Sequence, residues 1–167
     1  MITDYLSLVD YFKGISVGIL PITSPSPLPV SANLSTGVGG FKFFREGDTF
    51  DIISAATSKL EYPVLWLETP DWKATSEGNA IEYDIAIVAL TKAAKDDRRD
   101  EQVKRNDMQI LLFEVVKRIH HDRNIPKSRF RIDLGSVRAT PLDRVWNSSN
   151  WGWRVEFKMT VIGDKFC

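Results

Sequence analysis

Apolar residues recur along the chain with two periods, and each period predicts its own kind of element. The helical period of 3.6 residues predicts a helix over residues 3–14, a second over 48–61, and a long third helix whose charged start spans 92–105 and whose amphipathic part runs to 121. Strict alternation predicts four strands, at 62–68, 81–90, 130–134 and 151–162. Two weaker strand signals lie at 15–19 and 41–45, and the latter fits a turn before the second helix equally well.

Several boundaries follow from single residues. Thr3 is the predicted cap of the first helix, with Asp4 in its first turn, and Gly14 ends it. The strand at 81–90 starts with polar residues on one face and becomes apolar on both, which predicts a strand that begins in water and ends buried. An irregular stretch through Pro141 is predicted to follow the strand that begins at Phe130.

The element order predicts an α+β fold in one domain, residues 1–167. Four strands with one long helix between the second and third favour a mostly antiparallel four-stranded sheet with the long amphipathic helix packed on one face. The length of 167 residues fits a single core of ordinary size.

Residues 21–40 are predicted to form an extended irregular arm. Four prolines occur within nine residues, at Pro21, Pro25, Pro27 and Pro29, and they favour polyproline II geometry over a sheet interior. Loops of this length usually carry a function. We therefore take the four prolines and Leu28 as part of a hypothetical interface with another subunit.

Composition removes several function classes. Lys plus Arg and Asp plus Glu both number 22, so net charge does not indicate a dedicated nucleic-acid binder. The only cysteine is Cys167, which leaves no pair for a disulfide and no cysteine-based zinc site. No apolar run reaches the roughly 18 residues of a membrane span, and the N-terminal residues lack the pattern of a signal peptide. These features predict a soluble protein without a membrane partner.

The sequence indicates no cofactor or metal site. Its glycines at 37–40 lack the Lys-Ser/Thr of a phosphate-binding loop. His120 and His121 are the only histidines, and as neighbours on a helix they point roughly 100° apart, so they cannot chelate one ion from one face. We expect them to act as cations at the end of the long helix.

One enzymatic alternative rests on carboxylates. Glu156 and Lys158 lie on one face of the last predicted strand, and Asp143 precedes them by thirteen residues. Two carboxylates that hold Mg²⁺, with a lysine beside the attacking water, would make a small nuclease. The competing interpretation is that Glu156 and Lys158 form the solvated polar face of a strand.

Tryptophans near arginines offer a second alternative. Trp146, Trp151 and Trp153 lie close in sequence to Arg144 and Arg154, a composition that suits base stacking on single-stranded nucleic acid. Packing in a core or an interface is the commoner use of such residues.

Taken together, the ordered pattern resembles the small tail-completion, tail-terminator and neck-ring proteins of tailed bacteriophages. The likeness covers residues 48–162: a helix leading into a Tyr-Pro strand (48–68), an alternating strand (82–90), a charged loop with an amphipathic helix (92–121), and a closing strand of alternating polar and aromatic residues (152–162). The arm at 21–29 has no assigned counterpart in that family.

This resemblance implies a structural virion protein without enzymatic activity, assembled in the host cytoplasm. Its partners would be copies of itself in a ring, neighbouring neck or tail proteins, and DNA passing through the lumen. The hypothetical interface residues outside the arm are Arg98, Arg99, Glu156 and Lys158. The alternatives are the nuclease and a non-catalytic module whose arm recognises another protein.

Overall fold

The computed structural model describes residues 2, 4–16, 41, 43–48, 62–75, 79–94, 96–124, 129–145 and 150–162. In these ranges the elements are α1 (Tyr5–Ser16), β1 (Phe43–Gly47), β2 (Val64–Glu68), β3 (Asp71–Ala74), β4 (Ala80–Lys92), α2 (Arg98–Asp122), β5 (Phe130–Val145) and β6 (Asn150–Ile162). The predicted arm at 21–40 and nearly all of the helix predicted over 48–61 lie outside the described residues.

The strands form one mixed sheet, and the fold class is α+β as predicted. The sheet order is β1-β2-β4-β6-β5, and β3 also pairs with β4. Only β1 and β2 run parallel, whereas every other pair is antiparallel. The four predicted strands are neighbours in this order, as β2, β4, β6 and β5. The prediction of four strands was too low, since the described sheet has six.

The two additional strands lie on one side of the sheet. β1 arises from the aromatic segment at 41–45, which is a strand and not a turn. β3 lies beside the first half of β4, after β2 has paired with the second half. Leu67 pairs with Ile87 of β4, and Asp71 pairs with Asp84 of β4. Between these two pairs the chain advances four residues while β4 advances three, so one extra residue separates β2 from β3. A bulge of this kind hides the strand from pattern analysis.

β5 is much longer than the predicted strand at 130–134. Between Asp133 and Arg138 it takes five residue steps against two on β6, which makes a wide bulge where an irregular stretch was predicted. Beyond the bulge it pairs regularly, with Pro141 opposite Trp153. Proline is tolerated there because β5 is an edge strand among the described strands, so Pro141 does not end it.

α1 differs from its prediction at both ends. Asp4 is its cap: the carboxylate accepts the Ser7 N–H (2.8 Å), and the Ser7 hydroxyl accepts the Asp4 N–H (3.0 Å). The helix continues through Gly14 to Ser16, so the predicted end at Gly14 and the strand start at Ile15 were wrong. A glycine inside a helix costs only about 1 kcal/mol, which the buried Ile15 side chain offsets.

α2 has the predicted amphipathic stripe but starts later than 92. Lys92 still belongs to β4, and Asp97 caps the helix by accepting the N–H groups of Arg99 and Asp100, each at 3.0 Å. The stripe packs on one sheet face, as predicted. Its buried apolar members are Met108, Leu111, Leu112, Val115 and Ile119.

The sheet faces divide the apolar residues into two clusters. The main core joins both helices to one face, where β4 contributes Tyr83, Ile85, Ile87 and Ala89. A smaller cluster on the other face contains Val64, Trp66, Val88 and Leu90. β4 is thus polar on one face at its start and buried on both faces later, as predicted.

Candidate functional site

The face of the sheet opposite α1 and α2 carries, among the described residues, a charged surface beside the smaller apolar cluster. Every second side chain of β4 and β6 points to this face, because the side chains of a strand alternate between the two faces of a sheet. We call it the charged face; its members are Glu68, Lys73, Glu82, Asp84, Arg138, Arg154, Glu156 and Lys158. Most of these residues surround a shallow depression of about 350 Å³.

Lys158 lies in the middle of a group of carboxylates. Its Nζ is 3.2 Å from Glu82 Oε1 and 3.7 Å from Asp84 Oδ1, and Asp84 is its direct neighbour on β4. The hydrogen bond with Glu82 raises the pKa of Lys158. Glu82 also receives Lys73 Nζ at 2.8 Å, and the hydrogen bonds from Lys73 and Lys158 lower the pKa of Glu82. The ammonium groups and carboxylates therefore stabilise one another in their charged forms.

Arg154 connects two strands that do not touch. Its Nε and Nη2 donate to the two carboxylate oxygens of Glu68, at 2.8 and 2.7 Å, and Nη1 pairs with Glu156. The bond with Glu68 is the main cause of a raised Arg154 pKa. Since β4 separates β2 from β6, this bidentate pair crosses a strand, and the small Ala86 opposite Glu156 leaves room for it.

The bulge in β5 completes the rim of the depression. The Ser136 hydroxyl accepts the Lys158 N–H (2.8 Å) and donates to Asp133 O (2.6 Å), so a side chain replaces a direct bond between the strands. Arg138 donates to the carbonyl oxygens of Gly135 and Val137. The bulge is therefore held by its own polar groups.

Glu156 and Lys158 share the polar face that the sequence predicted, but Asp143 does not join them. Asp143 pairs with Arg105 of α2 at 2.5 Å, on the side of the sheet that the helices cover. Arg138, not Asp143, is the β5 partner of Glu156, and five residues of strand span roughly 16 Å. The spacing of thirteen residues was thus a misleading guide, since the register of β5 against β6 shifts between Leu142 and Val145.

In the described part of the chain, no three residues among His, Cys, Asp and Glu are grouped so that they could hold a metal ion. The acid pair proposed for Mg²⁺ is accordingly not assembled here.

The tryptophans near arginines are used for packing. Trp151 is buried, with the Arg105 guanidinium 4.9 Å from its ring centre, and Trp153 Nε1 donates to Arg105 O at 3.0 Å. Arg154 lies on the opposite face. Trp146 and the Arg144 side chain lie outside the described residues. The grouping expected for base stacking is thus not formed by Trp151, Trp153 and Arg154.

A buried polar cluster between the helices was missed by sequence reasoning. Arg118 Nε pairs with Asp122 Oδ1 at 2.8 Å, and the Tyr11 hydroxyl donates to Asp122 Oδ2 at 3.1 Å. Burial raises the pKa of Tyr11 well above its usual value. The signal was available, because Arg118 and Asp122 are four residues apart beside the apolar stripe that contains Val115.

The remaining predicted residues have simple positions. His120 and His121 lie in the last turn of α2, as expected, and His121 Nδ1 is 3.3 Å from Asp122 Oδ1. Arg98 and Arg99 are exposed in the first turn. The five predicted interface residues of the arm, Pro21, Pro25, Pro27, Leu28 and Pro29, lie outside the described residues.

No protein-family model matches this sequence, and a search of curated proteins finds no match either. Among the described helices, none has the length and apolar character needed to cross a membrane.

Proposed function

We propose that the chain is a structural, non-enzymatic subunit of a ring, of the kind found at the neck or tail end of a tailed bacteriophage virion. The observation that carries this proposal is the difference between the two edges of the sheet. In the described sheet, one edge is the long strand β5, and the other side ends in β1 and, beside the first half of β4, in the short strand β3, on which the Trp72 side chain is 65% exposed. Unlike surfaces on opposite sides of one subunit suit head-to-tail contacts, which close into rings.

The features of β5 favour contacts with a neighbouring subunit through side chains, and they disfavour pairing with a further strand. Its wide bulge, Pro141, and the exposed charges of Arg131, Asp133 and Arg138 are devices that oppose the addition of a further strand. An assembly built on this edge is therefore limited to specific partners. Residues 21–40, together with Arg98 and Arg99, would add contacts to neighbouring subunits.

The charged face favours a structural role over the nuclease. Glu156 and Lys158 are each engaged in ion pairs, and Asp143 faces α2. In a ring, the same charges would meet complementary charges of neighbouring neck or tail proteins, or face a lumen through which DNA passes. Assembly would take place in the host cytoplasm.

Native mass measurement of the purified chain over a range of concentrations tests the proposal. We expect one closed oligomer, visible as a ring by electron microscopy; a monomer at every concentration would contradict it.

Deletion of residues 21–40 should leave cooperative unfolding intact and reduce the oligomer, because their composition offers little apolar surface to bury. Loss of cooperative unfolding would show that this stretch belongs to the core.

Incubation with plasmid and linear DNA in Mg²⁺ and Mn²⁺ tests the non-enzymatic part. We expect no cleavage by the parent. Cleavage that disappears in the double variant Glu156→Gln, Lys158→Met would replace the structural proposal with the nuclease.

A further inference from the structure

An aromatic groove of about 420 Å³ lies between the first turn of α1 and the edge strand β3. We call it the aromatic groove. Asp4 and Tyr5 form its α1 side, Pro70 and Trp72 its β3 side, and Ile81 and Tyr83 its floor. It is separate from the charged face, because Tyr83 belongs to the core on the helix-covered side.

The rings of the groove are held in place by the fold. Trp72 is the direct partner of Tyr83 in the β3–β4 pairing, so both side chains point to the same face. The Tyr5 hydroxyl donates to the Glu46 carboxylate of β1, which fixes the ring at the helix start. Trp72 nevertheless stays largely exposed, whereas Tyr83 is buried. The groove is thus a rigid aromatic surface with one open wall.

Such a surface suits a proline-rich ligand. Polyproline II segments dock in grooves lined by aromatic rings, since their prolines pack on the rings and little entropy is lost on binding. The backbone carbonyls of such a segment also accept hydrogen bonds, and the indole N–H of the exposed Trp72 is a donor in this groove. The walls and floor contain one charged side chain, Asp4, so electrostatics alone would not select the ligand.

The chain itself contains a segment of this chemistry. Residues 21–29 read Pro-Ile-Thr-Ser-Pro-Ser-Pro-Leu-Pro, with no charged residue. We propose that the aromatic groove of one copy binds residues 21–29 of a neighbouring copy. This inference rests on the proposed ring and names the contact that would build it.

The placement of donor and acceptor suits a contact between two copies. The groove lies at the start of α1, whereas the segment follows the other end of that helix, about 18 Å away for 12 residues. From Ser16 to Pro25 the chain has nine residues, which reach about 30 Å when extended, so the segment is long enough to reach the groove of its own copy as well, and the mixing experiment below separates the two cases. Donor and acceptor at opposite ends of one rigid helix give the unlike surfaces that a head-to-tail contact needs.

The test uses two full-length variants that damage opposite halves of the contact. Trp72→Ala removes a wall of the groove, and the triple change Pro25→Ala, Pro27→Ala, Pro29→Ala removes the proline-rich character of the segment. Phe113→Ala is the matched control, because Phe113 is a similarly exposed aromatic side chain on α2. We expect each damaged variant to raise the dissociation constant of the oligomer at least about tenfold, as loss of an aromatic anchor does, and the control to leave it unchanged.

Mixing the two variants in equal amounts shows whether the segment of one copy binds the groove of another copy. One intact groove and one intact segment remain in each mixed pair, so we expect heterodimers but no closed ring. If the mixture stays monomeric, the segment does not act on a second copy. If Trp72→Ala assembles like the parent, the groove does not form the contact between copies, and the proposed ring is not contradicted by that result.

A separate measurement applies if the parent protein does not assemble, a result that would contradict the proposed ring. A labelled peptide of residues 21–29 is then titrated into the triple-proline variant and followed by fluorescence anisotropy. Binding that is lost when Trp72→Ala is added would support the groove as a site for proline-rich segments and overturn the second copy as its source. No binding would overturn the groove as well.

Discussion

The two faces of the sheet are built from the same strands, but one is covered by an apolar core and the other carries ion pairs that contact solvent. On the helix-covered face, the side chains of α1 and α2 close over β4 and β6 in one apolar core, and Asp122 beside it pairs with Arg118 and Tyr11. On the charged face, ion pairs between β2, β4 and β6 stay in contact with solvent. β4 and β6 each supply both faces, through residues that alternate along the strand.

This difference separates stability from recognition. Burying an apolar side chain contributes about 1.5 to 3 kcal/mol, whereas an exposed ion pair contributes about 0 to 1 kcal/mol. The covered face therefore holds the fold, and the charged face can change or meet a partner with little risk to it. Each prediction below compares the two faces.

The largest effect is expected in the core. Leu112, whose side chain is 1% exposed, lies on the stripe of α2, and Leu112→Ala should lower the free energy of unfolding by about 2 to 5 kcal/mol. Its sequence neighbour Phe113 is 62% exposed, so Phe113→Ala should cost no more than about 0.5 kcal/mol. Urea unfolding measures both. Equal losses would mean that the wrong side of α2 has been placed inward.

The second effect concerns the sheet between the two faces. At Gly152 on β6, an added Cβ would lie 1.8 Å from Ala89 O of the β4 backbone. Because a backbone cannot yield as a side chain can, Gly152→Ala should cost about 1 to 3 kcal/mol. Gly135→Ala is the control, since its nearest atom is a side-chain oxygen at 3.2 Å. A Gly152→Ala protein as stable as the parent would contradict the close approach of β4 and β6.

The tyrosines supply a spectroscopic comparison. The chain has four, and the pKa of each is raised: burial is the first cause in every case, and Tyr5, also bonded to Glu46, has a pKa of about 12. The folded protein should thus carry fewer phenolate groups at pH 10.0 than the unfolded chain, which is half titrated there.

A raised pKa favours the protonated folded state, so this contribution to stability is full below pH 10.0 and is lost as the pH rises toward about 12. Near-ultraviolet phenolate absorbance of folded and urea-unfolded protein measures it. On the covered face Tyr11 should titrate last, after Tyr62, which borders the smaller cluster. Equal phenolate absorbance of the folded and unfolded protein at pH 10.0 would refute this prediction.

The smallest effect is expected on the charged face. The double variant Glu156→Gln, Lys158→Met should lower the free energy of unfolding of the protein less than either change above, and less still in high salt.

The contribution of this surface has two pH limits. The pKa of Glu82 is lowered, so its part is present above its usual value of 4.5 and is lost as the pH falls, whereas the raised pKa of Lys158 makes its part fade above 10.5. Parent and double variant should therefore converge at acid pH. A difference of several kcal/mol at neutral pH would mean that the charged face belongs to the core.

Sequence reasoning identified the elements whose periodicity is strong. The stripe of α2 and the alternation of β4 and β6 were enough to place these elements, the polar start of β4, and Glu156 with Lys158 on one face. It failed where one or more residues break the alternation. The bulge before Asp71 concealed β3, and the bulge after Asp133 concealed most of β5.

The candidate surfaces were less accessible to sequence reasoning because they depend on long-range pairing. Arg154 and Glu68 are 86 residues apart, and nothing local joins them. Asp143 lies on the other side of the sheet from Glu156, since the irregular hairpin between them shifts the register. A cavity such as the aromatic groove requires α1 and β3 to be positioned first, and β3 had no signal.

The position of β6 sets an order for biosynthesis. β6 lies between β4 and β5, so β5 has no partner among the described strands until residues 150–162 have left the ribosome. A nascent chain that ends before them exposes the edges of two long strands at once, the condition under which partly made proteins aggregate. The described sheet must therefore close after translation of β6, and premature stop codons in this region should yield insoluble fragments and not shortened, folded proteins.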